Sequence, residues 1–351
     1  MERPQSARSG NKVRIVHPDL TMLPFQMTQN VNKLPHDGIY GNKITIFYIR
    51  KFSMREGEEF QWPGYYILQP DGTIDIHVCY RPLNQDEVEE FEEAISVVFD
   101  LQPILRAYEV FELSHTEINS AIDDIQDMHG RLINSDFGGM PIIYDAKVLF
   151  IHRTMTFLSS FKSFLDHAET KIKRKYKENS SIHNNFIKET NYLYDNHFSY
   201  RFMSKLRTIS QHVMLPISVF NINVEQQNDS NKPKHCVSII AERKELLNGW
   251  GKWGARMEKE LSELPDRINL LPIINEHAIC IKKLFCSFIE IEKDKLNYAS
   301  LCLNELLKAI DSPPGAVPVL WITQNPKIDI EPTRSKIPPF EDVRRILNII
   351  G

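Results

Sequence analysis

The order of apolar and polar positions divides this chain into stretches of different period. Residues 1–40 show no period. They are polar, with Pro4, Pro18, Pro24 and Pro35 spread through them, and read as an irregular N-terminal arm. From Lys43 the residues turn β-branched and aromatic. Ile44–Phe52 and Tyr65–Tyr80 predict strands. Pro70-Asp71-Gly72 inside the second run predicts a tight turn, because proline presets φ and glycine takes a positive φ. The expectation is an antiparallel sheet of about three strands, followed by helices, within residues 41–130.

Helical spacing then takes over. Asn84 followed by Glu87 has the spacing of a capping box, and Val88, Phe91, Ala94, Ile95, Val98 and Phe99 recur on one helical face. Pro103 is expected to end or kink that helix. Ser114 with Glu117 is expected to open another, carrying Ile118, Ile122 and Ile125, and a loop is expected from Gly130 to Pro141. The longest apolar stripe is Ile151, Met155, Leu158, Phe161, Leu165, Ala168 and Ile172, which predicts a helix over 145–177. Its basic end, Lys171–Lys177, suits the negative pole of the helix dipole. A solvated helix end and a phosphate-contacting patch are both open for it.

The next helix is expected to be capped at Asn184 or Asn185, to carry Phe186, Leu193, Phe198, Phe202 and Leu206, and to stop near Pro216. Ile217–Gln226 and His235–Glu242 alternate as strands do and predict an inserted hairpin at about 217–242. Helical spacing returns from Arg243 to Ile310, broken near Pro265 and Pro272. Residues 311–351 form a Pro-rich segment with one strand candidate, Val317–Thr323, and a final helix from about Phe340. The expected fold is mainly α, a helical bundle over 145–310 with a small N-terminal antiparallel β element and the inserted hairpin, α+β overall.

Composition narrows the class. With 42% hydrophobic and 25% charged residues among 351, wholesale disorder is excluded. No apolar run reaches the ~18 residues of a spanning helix, and residues 1–10 lack a secretory core. A net charge of -4 lacks the footprint of a bulk nucleic-acid binder. Cys79, Cys236, Cys280, Cys286 and Cys302 form no C-x-x-C pair, which agrees with a reducing, cytoplasmic location.

Most motif chemistry is missing. The chain has no H-E-x-x-H, no zinc-deaminase signature, no EF-hand loop, no phosphate loop and no G-x-S-x-G elbow, so neither a metal nor a cofactor is expected. Gly249-Trp-Gly-Lys-Trp-Gly254 matches G-x-G-x-x-G in letters, yet Glu242–Asn248 before it reads as helix and not as the strand a dinucleotide site needs. Asp166-His167 and Glu276-His277 are adjacent on helices and point about 100° apart, which makes poor dyads.

One stretch stands out. Arg207 and His212, with four residues between them, lie near a helix end before Pro216. This resembles the R-x(4–6)-H motif of HEPN-type helical domains, with Thr208 where that family usually carries Asn, Asp or His. The resemblance covers about residues 145–215. It implies an all-α, metal-independent endoribonuclease, of the kind found in prokaryotic toxins and antiviral, phage-defence effectors, working as a homodimer on RNA. It implies Arg207 and His212 as the catalytic pair.

The chemistry is sound on its own terms. Histidine, with a pKa near ~6.5, can take or give a proton, and a guanidinium can hold two phosphate oxygens. At i, i+5 on a regular helix the two side chains lie about 140° apart. The pair therefore needs either a distorted helix end or a second copy. Asp166 and Glu169 are the candidate supporting acids, either of which could instead simply pair with Arg207, while His212 could cap carbonyls. In that case the chain is a non-catalytic interaction or scaffold module; on either reading a regulatory protein is a candidate partner.

Overall fold

The computed structural model describes residues 13–15, 59–132, 140–225, 234–324 and 334–350, apart from Gly72 and Tyr80. The expected strand at 44–52 lies outside these residues. The chain divides into two units, one of residues 1–100 with 293–348, the other of residues 101–292 with 349–351.

The first unit holds a five-stranded sheet. Its strands are β1 (Val13–Ile15), β2 (Phe60–Leu68), β3 (Ile74–Val78), β7 (Val317–Thr323) and β8 (Arg334–Lys336), in the order β1-β3-β2-β7-β8. The β2–β3 hairpin is the one expected from Pro70-Asp71-Gly72, and Asp71 Oδ1 accepts from the Thr73 N–H at 2.9 Å within it. The sheet grows beyond that expectation in two ways. Val13–Ile15, from the expected arm, runs parallel to β3, and β7 pairs with β2 from Phe60↔Thr323 to Tyr66↔Val317. Residues alternate faces along β7. Val319 and Trp321 pack with Trp62 and Ile76, while Leu320 joins the helical core on the other side.

That core unites helix α1 (Gln85–Leu132), helix α8 (Lys293–Ile310) and helix α9 (Phe340–Ile350) through Phe91, Ile95, Leu303, Leu306, Phe340 and Val343. The capping box at the start of α1 forms reciprocally. The Asn84 N–H donates to Glu87 Oε2 and the Glu87 N–H to Asn84 Oδ1, both at 2.9 Å. The helix does not end at Pro103, and Ser114 opens no new one. Leu101, Ile104 and Leu105, each buried, hold the segment around the proline by packing, which outweighs the lost N–H. Ser114, buried in the middle of α1, donates to the Phe111 carbonyl and meets Ser160 at 2.9 Å.

Gly64 in β2 shows why a residue without a side chain sits there. A Cβ would lie 2.2 Å from the His77 carbonyl oxygen and 2.8 Å from Trp321 Nε1. Its absence lets the indole reach across to the His77 carbonyl at 3.4 Å. Gly64→Ala is expected to cost about 1–3 kcal/mol by overpacking, read as a lower urea midpoint at unchanged slope. An unchanged midpoint would show that the sheet accommodates the methyl group freely.

The second unit is helical around one three-stranded antiparallel sheet. Its further elements are α2 (Met140–Tyr176), α3 (Ser181–Asn196), α4 (Phe198–His212), β4 (Val219–Glu225), β5 (Lys234–Glu242), α5 (Arg243–Gly249), α6 (Ala255–Glu263), β6 (Arg267–Asn269) and α7 (Leu270–Ile291), the sheet running β4-β5-β6. The β4–β5 hairpin matches expectation, and β6 adds a strand to it. Pro272 does not break α7, because it falls in the first turn, where no intrahelical N–H is needed. Aromatic rings fill this core. Tyr108 stacks on Phe285 at 4.0 Å, and Phe157 and Phe161 enclose His277 edge-on.

Candidate functional site

The region around the Arg-His motif is built by α2, α3, α4 and the loop after α5. The expected single helix over the motif is two. Ser180, not Asn184 or Asn185, caps α3, its side chain accepting from the His183 N–H. The chain then breaks at His197, whose φ of -114° and ψ of 115° are extended. No glycine or proline marks this break. Arg201, in the first turn of α4 and buried, donates to the carbonyls of Tyr194 and Asp195 at 2.6 and 2.8 Å and pairs with Glu260 of α6. It thereby satisfies the carbonyls that the end of α3 leaves open.

Beyond Arg201, α4 buries Phe202, Met203, Leu206 and Ile209 and runs regularly to His212. Distortion begins only at Val213, where the N–H groups of Val213 and Met214 both donate to the Ile209 carbonyl. The irregular end lies past the motif, so Arg207 and His212 keep the separation of about 140° of a regular helix. They do not share a face within one chain.

Neither residue has the structural partners that sequence alone left open. Asp166 pairs with Lys162 at 2.5 Å. Glu169 pairs with Lys173 at 2.8 Å and lies 3.8 Å from His183, and the Lys173 hydrogen bond holds its carboxyl below the usual range. Arg207 forms no ion pair among the described residues, and its Nε is buried without a hydrogen-bond partner. His212 is exposed and its ring bonds to no described residue. The basic end of α2 is partly committed, with Lys173 on Glu169 and Glu178, and Lys175 on the buried Glu292 at 2.6 Å.

The glycine cluster follows a helix, as expected. β5 ends at Glu242, and α5 runs from there into the cluster, with Gly249 as its last residue. The tryptophans take a structural place there. Trp253 is buried, donates Nε1–H to the Leu246 carbonyl at 2.8 Å and stacks with Phe202, while Trp250 meets Trp253 edge-on. No backbone approaches Gly251, since a Cβ there would meet nothing within 4 Å.

A juxtaposition that no sequence motif marks lies beside it. The Lys205 ammonium sits 5.7 Å from the centre of the Trp250 ring. Lys205, Thr208 and His212 recur at i, i+3, i+7 along α4, a spacing that places them on one face; this was the available signal. The pairing with Trp250, some 45 residues on, had none.

Among the described residues, no group of three or more His, Cys, Asp or Glu could hold a metal ion, and no helix is long and apolar enough to cross a membrane. The cysteines are free thiols. No family model, curated protein or solved structure matches the chain.

Proposed function

We propose that this chain is a HEPN-like endoribonuclease of the toxin or phage-defence kind that acts as a homodimer, with Arg207 of one copy and His212 of the other brought to the same phosphate. The observation that carries this reading is a cation without a counter-ion. Arg207 forms no ion pair among the described residues, although Asp166 and Glu169 were its candidate partners, and both are engaged elsewhere. An unneutralised guanidinium with a partly buried fork is suited to hold phosphate oxygens. His212 is exposed and has no described hydrogen bond, which leaves its ring nitrogens open to a substrate.

In this mechanism the RNA 2′-oxygen bonds to phosphorus as the P–O5′ bond breaks. His212 either takes the 2′-OH proton while water protonates the leaving 5′-oxygen, or protonates that oxygen while water takes the 2′-OH proton. Arg207 stabilises the charge that gathers on the phosphoryl oxygens. The products are a 2′,3′-cyclic phosphate and a 5′-hydroxyl end.

The test is cleavage of single-stranded RNA with and without EDTA, with end-group analysis of the products. The expected result is EDTA-resistant cleavage that leaves cyclic phosphate, with DNA of the same sequence intact. An inert wild type, together with a lower melting temperature for His212→Ala, would assign both residues to the scaffold instead.

A further inference from the structure

The cations of α4 and of residues 243–256 are not treated alike by the fold. Arg201, Arg243 and Arg256 each have a carboxylate, on Glu260, Asp266 and Glu260 with Asp195 respectively. Lys205, Arg207 and Lys252 have none among the described residues. Arg207 is about 160° around the helix from Lys205, so it belongs to another face. Lys205 and His212, seven residues apart, differ by about 20° and lie about 10 Å apart along the axis.

Against this face stands the loop after α5. Met214, just past α4, comes within 3.1 Å of where a Gly249 Cβ would be, which places the loop beside the helix end. Trp250 then presents a half-buried ring, held edge-on by the buried Trp253, with the Lys205 ammonium over it. Lys252 is exposed two residues on, and the space around Gly251 is open.

A rigid indole, flexible lysines and open space form the pattern that binds single strands: bases stack on the ring and phosphates meet the ammonium groups. Resting on the ribonuclease reading above, we infer that Trp250, Lys205 and Lys252 form a subsite for one nucleotide of single-stranded RNA, flanking the phosphate that His212 serves. In the free protein the Lys205 ammonium covers the ring, where the indole quadrupole attracts it. A phosphate draws the ammonium off on its four-carbon stem, and the base takes its place on the ring. The subsite reads the sugar–phosphate charge and a π-face, so it selects single strands over duplex and shows little base preference.

The test is fluorescence anisotropy with a labelled 2′-O-methyl oligouridylate, which cannot be cleaved, on the full chain. Wild type is expected to prefer this probe over an abasic strand of equal length by about tenfold, and Trp250→Ala to erase that preference. Trp250→Phe should keep most of it. Lys205→Ala should weaken binding and lower the salt slope by about 0.7, as expected for one lost phosphate contact on a single strand.

Should Trp250→Ala fail to fold, Lys205→Ala and the abasic comparison on wild type still decide the matter. Equal wild-type affinity for the abasic strand, or for polyglutamate, would overturn the subsite and leave a general anion surface. The same holds for a folded Trp250→Ala that binds like wild type, and in each case RNA cleavage by wild type would stand. A wild type that neither binds nor cleaves RNA removes the ribonuclease reading and the subsite together.

Discussion

His212→Ala is expected to lower RNA cleavage by about 10²–10⁴-fold while leaving the melting temperature within a degree or two of wild type. The side chain is exposed at the last position of α4 and bonds to no described residue, so its removal leaves no orphaned partner. Arg207→Ala is expected to match it in activity. The regular helix through residue 212 makes a sharper result available, because the two side chains diverge within one chain. In a two-fold composite site, a mixture of Arg207→Ala and His212→Ala chains forms heterodimers in which one site has both groups and the other has neither. Unfolding and refolding the two inactive variants together should therefore recover about a quarter of wild-type activity, from random pairing under that symmetry. Recovery of nothing, with mixed dimers shown to form, would exclude sharing of the pair between copies.

The second large effect concerns His277. Its ring is fully buried against Phe157, Phe161 and Tyr200, and neither nitrogen has a hydrogen-bond partner among the described residues. Burial, aided by the charge of His115, pushes its pKa down to about 3. The folded chain thus keeps the imidazole neutral, while the unfolded chain takes a proton below about pH 6.5. Stability is complete above that pH and falls as pH drops, by about 1.4 kcal/mol per unit down to the folded pKa. The full loss is on the order of 4–5 kcal/mol.

His277→Leu removes the titration and the unpartnered nitrogens together. It is expected to lie within about 1 kcal/mol of wild type at pH 7 and to lose about 2–3 kcal/mol less between pH 6.5 and 4.5, in urea melts. Parallel pH profiles for the two proteins would place the acid sensitivity elsewhere.

Features decided within a few residues were legible in the sequence. The hairpin of β2 and β3, the Asn84–Glu87 box, the amphipathic run of α2, the hairpin of β4 and β5 and the helix from Phe340 all depend on local spacing, and all formed. What escaped depends on distant partners. Packing of Leu101, Ile104 and Leu105 carries α1 through Pro103, and a buried Arg201 reaching back to Tyr194 and Asp195 steadies the break at His197. The pairing of β2 with β7 joins the two ends of the chain, which no local pattern announces.

The same holds near the motif. Arg207 and His212 were visible as a spacing, and so was their divergence on a regular helix. That Asp166 and Glu169 turn to Lys162 and Lys173 was a matter of which side chains lay nearest on α2. Both are i, i+4 pairs, so the sequence did carry that signal.

The division of the first unit between the chain's two ends sets an order on the ribosome. Every element of the second unit's main segment has been synthesised before β7 exists, whereas β2 is made early and its partner strand comes roughly 250 residues later. At about 5–20 residues per second, the β2 edge waits on the order of tens of seconds for Val317–Thr323. During that interval the backbone groups along Phe60–Leu68 that β7 will take, and the apolar Trp62 beside them, are open to any passing strand. A nascent chain at this stage would therefore have a finished helical unit and an unfinished sheet, and holding factors that cover exposed strand edges would act on the Phe60–Leu68 edge.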